Sequence, residues 1–164
     1  ILELLAPFHC DIYAFDPHVP RVLADIYDIT LTSLDHVMGC DVVISLVPLT
    51  PETQRMITAT ELELLRPGAV FVNVSRGAVV DQGALIRRLQ RGDIAASLDV
   101  FDPEPLEPSS PLRGMSNVFL TPHIAGVTAP CGPRFLTLAA DEIARKFAGH
   151  RTRHDLVPRA AAKP

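Results

Sequence analysis

The sequence predicts an α/β fold built on a doubly wound parallel sheet. Short, nearly continuous apolar runs alternate with segments whose apolar residues recur at helical spacing, and many of the 15 prolines stand at the boundaries between them. Apolar runs without polar alternation are typical of parallel strands covered on both faces. Strands are predicted at residues 12–15, 29–31, 42–47, 69–74, 94–100 and 118–120.

Helices are predicted between and around these strands. Ser33 and Thr60 are the expected N-caps of two short helices, and a longer helix carries Leu85, Ile86 and Leu89 on one face. The predicted helices cover residues 34–38, 61–65, 81–90 and 133–148, and residues 1–6 are expected to be the last turns of another. Repeated β-α-β units of this kind place functional residues at the carboxyl ends of the strands.

Composition argues against several classes of partner. The net charge of −4 gives no basis for nucleic-acid or anionic-membrane binding, and no apolar run approaches the ~20 residues of a membrane-spanning helix. Cys10, Cys40 and Cys131 lack CxxC spacing, which favours free thiols in a reducing compartment. We therefore expect a cytoplasmic protein without a metal site, a nucleic-acid partner or a membrane partner.

Three reactive side chains each follow a different predicted strand. Arg76 can bind a carboxylate through its planar, forked guanidinium, and His123 can exchange a proton near neutral pH. Glu104, if it lies beside that imidazole, can adjust the proton affinity of His123. Pro103 and Pro105 are expected to stiffen the loop that presents the glutamate. Taken singly, the three are better explained as a surface arginine, a solvated loop acid and a structural histidine. Together they predict an active site for a carboxylate-bearing substrate.

Asp16 closes the first predicted strand. An acid at this place in a dinucleotide-binding fold accepts hydrogen bonds from the adenosine ribose and repels a 2′-phosphate, which favours NAD over NADP. Counting back about 20 residues reaches a position just before Ile1, where a glycine-rich phosphate loop is expected. We therefore expect residues 1–8 to be the remnant of the phosphate-binding helix. Taken alone, Asp16 is equally well explained as a turn former before Pro17.

Five segments together resemble the D-isomer-specific 2-hydroxyacid dehydrogenases. They are residues 41–43 (DVV), 48–53 (PLTPET), 73–81 (NVSRGAVVD), 98–101 (LDVF) and 121–126 (TPHIAG). The resemblance runs from about residue 12 to residue 149 and corresponds to most of that family's NAD-binding domain. It implies a Rossmann-like fold that lacks its first strand and glycine-rich loop. Residues 1–150 are then a partial NAD-binding domain, and residues 151–164 are a frayed tail.

The resemblance also implies roles for individual residues. Arg76 would bind the substrate carboxylate and help to polarise its carbonyl, His123 would be the acid/base, and Glu104 would hold and tune it. Asp99 would lie beside the nicotinamide carboxamide. The cofactor-binding residues implied in this way are Asp16, Val47, Pro48, Thr53, Val74, Ser75, Arg76, Asp99, His123 and Ala125.

The implied activity is oxidation of the CH–OH group of a 2-hydroxy acid, or reduction of the 2-keto acid, with NAD as hydride acceptor or donor. The intact protein is expected to be a homodimer, and this chain a fragment of it. Glutamate rather than glutamine at position 104 argues against the formate-oxidising branch of the family. Two other functions stay open: an NAD(H)-sensing interaction protein that resembles the related corepressors, and a truncated, inactive product.

Overall fold

The computed structural model describes residues 1–154, and its fold divides into two compact units. The first unit is Ile1–His123, and the second begins at Ile124. The strands of the first unit are β1 Tyr13–Ala14, β2 Thr30–Leu31, β3 Val42–Ser45, β4 Val70–Asn73, β5 Ala95–Leu98 and β6 Val118–Leu120. Its α-helices are α1 Leu2–Leu5, α2 Arg21–Ile26, α3 Leu34–Met38, α4 Ala59–Glu63 and α5 Gln82–Leu89.

All strand pairs are parallel, which confirms the predicted fold class. β1 pairs with β2, and β3, β4, β5 and β6 form a second sheet in that order. In this second sheet Ser45 is in register with Asn73, Asn73 with Leu98, and Leu98 with Leu120. Since the four strands end together and run in one direction, the segments that follow them leave from a single edge.

One face of the four-stranded sheet is buried along β3, β4 and β5 and half-buried at β6. Phe71 of β4 and Leu98 of β5 share a core with Met38, Leu62 and Leu89, which come from α3, α4 and α5 respectively. The buried positions alternate along β4 and β5, and the intervening residues are half-buried. The core therefore lies between this sheet face and three short helices.

The other face is less covered than the sequence predicted. Val42 of β3 and Phe119 of β6 are 56% and 66% exposed, so the expectation of two covered faces is wrong for these strands. β3 and β6 are the outer strands of this sheet and have one neighbouring strand each. Their apolar side chains consequently have fewer neighbours to pack against than those of β4 and β5.

The predicted helices of the first unit agree with the structure to within one residue at each end, except α4. Ser33 caps α3 as predicted, accepting a hydrogen bond from the His36 amide at 3.3 Å. The predicted cap at Thr60 is wrong, because Thr58 caps α4 and its backbone N–H donates to Glu61 Oε2 at 2.7 Å. Thr58 and Glu61 form a capping box, a reciprocal pair with Thr-x-x-Glu spacing. That spacing, visible in the sequence, places the cap two residues earlier.

Two further helices of the first unit bear on the sequence prediction. Helix α2 was not predicted, since its six residues are too few to show a clear period. The predicted helix over residues 1–6 is confirmed as α1, followed by a 3-10 turn over Ala6–Phe8 that ends on His9. His9 has a φ of 51°, the left-handed conformation in which glycine is the usual helix-ending residue.

The second unit consists mainly of helix α6, Cys131–Phe147, which begins two residues before its predicted start. Pro133 lies in its first turn, where an amide N–H has no intrahelical partner, so a proline is tolerated. The backbone N–H of Arg153 donates to Glu142 Oε2 at 2.7 Å and holds part of the segment after α6. Most of the predicted frayed tail lies outside the described residues. No helix in the described part of the chain is long and apolar enough to span a bilayer.

Candidate active site

The segments after β3, β4, β5 and β6 bring most of the predicted site residues to one edge of the sheet. Val47 follows β3, Arg76 follows β4, Asp99 follows β5 and His123 follows β6. Parallel strands in register account for this arrangement, because each strand delivers the residues after it to the same edge. Residues that are up to 76 positions apart in sequence are thereby collected in one region.

Glu104 and His123 are in direct contact. The Nδ1 atom of His123 lies 3.1 Å from both carboxylate oxygens of Glu104. An ionised carboxylate only accepts hydrogen bonds, so Nδ1 carries the proton and donates it. Nε2 is then the ring nitrogen left to gain or release a proton toward a bound molecule. The side chains are 44% and 38% exposed, so both are reachable from solvent.

The backbone of His123 is held from the neighbouring strand end. Its N–H donates to the carbonyl of Asp99 at 2.9 Å, and its φ is 56°, in the left-handed region. Non-glycine residues in this region are uncommon and occur often at functional sites. Asp99 is 3% exposed, and its Oδ1 accepts a hydrogen bond from Thr121 Oγ1 at 2.6 Å. The hydrogen bond from Thr121 therefore ties the carboxylate of Asp99 to the segment that carries His123.

The loop that presents Glu104 is anchored on both sides. Before the glutamate, the amide of Asp102 donates to Gln82 Oε1 at 3.1 Å. After it, Leu106 is buried, and its carbonyl accepts from Arg113 Nη2 at 2.6 Å. These contacts reach the loop from α5 and from the 3-10 turn over Pro111–Gly114. The position of Glu104 therefore depends on residues far from it in sequence.

Arg76 is exposed, and its guanidinium Nη1 donates to the carbonyl of Ser75 at 2.7 Å. Among the described residues no acidic side chain forms an ion pair with it. A guanidinium has five N–H donors in a fixed fork that matches a carboxylate. The free part of this fork is suited to binding the carboxylate of a small molecule.

Gly77 is required because its turn packs closely against another segment. Its φ is not in the left-handed region, whereas a Cβ at this position would overlap the main-chain carbonyl of Phe101 and lie 2.7 Å from the Asp102 amide nitrogen. Absence of a side chain thus allows the Arg76 turn to approach the segment that leads to Glu104. The motif over residues 73–81 includes this glycine, but no pattern in the sequence indicates the contact.

Two residues of the site were missed at the sequence level. Asn73 was noted only as part of a motif, although an amide at the end of an apolar strand signals a buried polar group that needs partners. It is 2% exposed and hydrogen bonds to Ser75 and Arg76. Gln82 follows the α5 cap residue, and no local pattern indicates that it reaches Asp102.

The remaining predicted cofactor residues lie in three places. Thr53 closes the loop after β3, donating from Oγ1 to the Pro48 carbonyl at 2.6 Å, while Val47 is half-buried. Val74 and Ser75 form the turn before Arg76, and Ala125 belongs to the second unit.

Asp16 follows β1 and is exposed, and its Oδ1 accepts from the His18 amide at 2.8 Å. Its Oδ2 accepts no hydrogen bond from the described residues. An exposed carboxylate with one oxygen engaged in a turn has the chemistry to accept ribose hydroxyl groups as well. The two sequence interpretations of Asp16, a turn former and a ribose ligand, are therefore compatible. The residues present fit a nicotinamide dinucleotide.

Comparisons with known proteins identify the family of the chain. Residues 1–125 match the family model described as D-isomer specific 2-hydroxyacid dehydrogenase, NAD binding domain. A glyoxylate reductase of Aeropyrum pernix is 43% identical over 118 residues, which cover 71% of this chain and 35% of that protein.

Solved structures give the same result. A D-isomer specific 2-hydroxyacid dehydrogenase of Xanthobacter autotrophicus Py2, in complex with NADPH and MES, is 35% identical with a TM-score of 0.74, covering 90% of this chain and 60% of that one. The NAD-complexed enzyme of Lactobacillus delbrueckii ssp. bulgaricus is 28% identical with a TM-score of 0.82, covering 93% and 50%. The chain thus spans between about a third and three fifths of these relatives. It belongs to the D-isomer specific 2-hydroxyacid dehydrogenases, within their NAD-binding domain.

Proposed function

We propose that the protein containing this chain is an NAD-dependent 2-hydroxyacid dehydrogenase that also reduces 2-keto acids. The observation that carries the proposal is the contact of His123 Nδ1 with Glu104, which leaves Nε2 available for proton exchange. Family membership indicates the reaction class, and the exposed guanidinium of Arg76 can bind the carboxylate of a substrate.

In the reducing direction, Arg76 binds the substrate carboxylate through its free N–H groups and orients the adjacent keto group. His123, protonated on both nitrogens, donates the Nε2 proton to the keto oxygen as negative charge develops there. Glu104 accepts the Nδ1 hydrogen bond throughout, which keeps the imidazole ring in one orientation and stabilises its charged form. When bound, the nicotinamide supplies the hydride that the carbonyl carbon accepts.

The cofactor is held by residues that follow the parallel strands. Asp16 accepts hydrogen bonds from the adenosine ribose, and Asp99 faces the nicotinamide carboxamide. The remaining contacts come from Val47, Pro48, Thr53, Val74, Ser75, Arg76, His123 and Ala125. The carboxylate of Asp16 favours NAD over NADP because it repels a 2′-phosphate.

The substrate is a small 2-hydroxy or 2-keto acid, and glyoxylate is the first candidate because a similar protein of Aeropyrum pernix is a glyoxylate reductase. Residues 1–150 form part of the NAD-binding domain of a longer enzyme. We further propose a homodimer located in the cytoplasm, where the thiols of Cys10, Cys40 and Cys131 stay reduced.

Arg76→Ala in the intact protein tests the proposal. Loss of the guanidinium should lower kcat/KM for glyoxylate with NADH by about 100-fold or more, while NADH binding measured by fluorescence titration stays unchanged. Arg66→Ala is the matched control, since Arg66 is exposed and precedes β4 at the opposite edge of the sheet. Unchanged turnover of the Arg76 variant would remove this residue from the mechanism. NADH-dependent binding of a partner protein without turnover by the wild type would favour the interaction-protein alternative.

A further inference from the structure

Asn73 is a buried polar residue whose side chain closes the turn that carries Arg76. Its Nδ2 donates to the carbonyl of Arg76 at 3.1 Å. Its Oδ1 accepts from the Ser75 amide at 3.1 Å and from Ser75 Oγ at 2.8 Å. A buried amide must satisfy its donors and acceptors, and all three of these bonds go to residues two and three positions later.

These bonds surround the group that holds the arginine side chain. The guanidinium of Arg76 donates to the carbonyl of Ser75, which belongs to the peptide between Ser75 and Arg76. Asn73 binds Ser75 before this peptide and the Arg76 carbonyl after it. Movement of the Asn73 side chain would therefore move the carbonyl on which the guanidinium rests.

Asn73 also connects the turn to the neighbouring strand ends. Its main-chain carbonyl accepts from the Asp99 amide at 3.0 Å, and the Asp99 carbonyl accepts from the His123 amide at 2.9 Å. On the other side, Ser75 Oγ lies 3.0 Å from Ser45 Oγ, at the end of β3. Two buried residues, Asn73 and Asp99, thus connect the backbone of Arg76 to the backbone of His123.

We infer that Asn73 is a positioning residue for Arg76, setting the angle at which the guanidinium meets the substrate carboxylate. This inference rests on the proposed function of Arg76 and adds to it a residue that does not touch substrate. A small displacement of a substrate-binding group can cost up to about 100-fold in rate, so an effect through Arg76 is measurable.

Asn73→Asp in the intact protein is the first test, because aspartate keeps the shape and the acceptor but loses the donor to the Arg76 carbonyl. We expect kcat/KM for glyoxylate to fall about 10- to 100-fold, mainly through a higher KM, with NADH affinity unchanged. Asn73→Ala removes the side-chain bonds without burying a charge. The alanine variant is expected to raise KM in the same way. It tests the inference if the aspartate variant does not fold.

Asn117→Asp is the matched control. The Nδ2 of Asn117 donates to the carbonyls of Leu89 at 3.0 Å and Ile94 at 2.8 Å, just before β6 at the opposite edge of the sheet. Its replacement loses comparable bonds, so it should lower the urea midpoint of unfolding while leaving KM for glyoxylate unchanged. Equal KM values for the Asn73 and Asn117 variants would overturn the inference.

A double-mutant cycle separates positioning from general damage. If Asn73 acts through Arg76, adding N73D to R76A should change the residual kcat/KM less than twofold, since neighbouring residues that act as a unit are not additive. A full additional loss in that background would show that Asn73 acts by another route.

The inference and the proposed function can fail separately. A wild-type protein that reduces no 2-keto acid would refute the proposed function. Crystal structures of the wild type and N73D would then decide the inference: a displaced Ser75–Arg76 peptide would support it, and an unmoved one would overturn it.

Discussion

Gly77 lies so close to Phe101 that a Cβ at residue 77 would overlap the main-chain carbonyl of Phe101. The contact joins the turn after Arg76 to the segment after β5, which leads to Glu104. The turn that carries Arg76 and the segment that presents Glu104 are therefore packed against each other through backbone atoms. Main-chain atoms of two segments bound this space, and they cannot move aside as a flexible side chain can.

Gly77→Ala should destabilise the protein by about 1–3 kcal/mol, the usual cost of inserting a methyl group where no space exists. Urea unfolding followed by circular dichroism measures the change. Gly114→Ala is the control, because a Cβ there meets no atom within 4 Å and its φ is not left-handed. Equal stability of the two variants would show that the close approach does not exist in solution.

Glu104→Gln should lower kcat for glyoxylate reduction while leaving NADH binding intact, because a neutral amide cannot stabilise the charged imidazole of His123. His123→Gln should lower kcat more, by about 100- to 10,000-fold, since it removes the acid itself. Steady-state kinetics measures both. Glu107→Gln serves as the control, because Glu107 is exposed on the same loop and its side chain forms no hydrogen bond or ion pair with the described residues. A Glu104 variant as active as the Glu107 variant would contradict the role given to Glu104.

Asp16→Asn should weaken the preference for NADH over NADPH, because it removes the negative charge that repels a 2′-phosphate. We expect the ratio of the two kcat/KM values to change about tenfold, the factor that corresponds to 1.4 kcal/mol. Asp11→Asn is the control, since Asp11 precedes β1 at the opposite edge. An unchanged ratio in the Asp16 variant would assign that residue to the turn alone.

Asp81 should make stability depend on pH. Its Oδ1 accepts from the Ala84 amide at 2.9 Å, and its Oδ2 pairs with Arg55 at 2.5 Å. The Ala84 hydrogen bond, with the charge of Arg55, outweighs partial burial and holds the pKa of Asp81 below its ordinary value. A lowered folded-state pKa means that the stabilisation is complete above the unfolded-state pKa of about 3.9 and is lost as pH falls through the folded-state pKa.

Asp81→Asn should therefore lower the free energy of unfolding by about 0.5–1 kcal/mol at pH 7, and the gap to wild type should close below about pH 4. Urea unfolding at pH values from 7 to 3 measures this gap. Asp25→Asn should show no gap at any pH, because the exposed Asp25 side chain has no hydrogen bond or ion pair among the described residues. A constant gap down to pH 3 would mean that the charge of Asp81 does not stabilise the fold.

Much of the fold could be predicted because its signals are local. Apolar runs marked β3, β4 and β5, the N-cap Ser33 marked the start of α3, and helical spacing of apolar residues marked α5. The N-cap at Thr60 was predicted wrongly, although the spacing of Thr58 and Glu61 in the sequence indicates the correct N-cap. Helix α2 escaped prediction because six residues show too little periodicity.

The sequence by itself determined that Arg76, Glu104 and His123 follow different strands of a parallel sheet, and hence that they belong to one edge. It identified the family from the same segments. Only the tertiary structure decided that Glu104 meets Nδ1 of His123, that Phe101 excludes a side chain at residue 77, and that Asn73 holds the Arg76 turn. The positions of the strands along the chain follow from local patterns. These contacts instead depend on how closely separate segments approach one another, and packing of the whole core sets that distance.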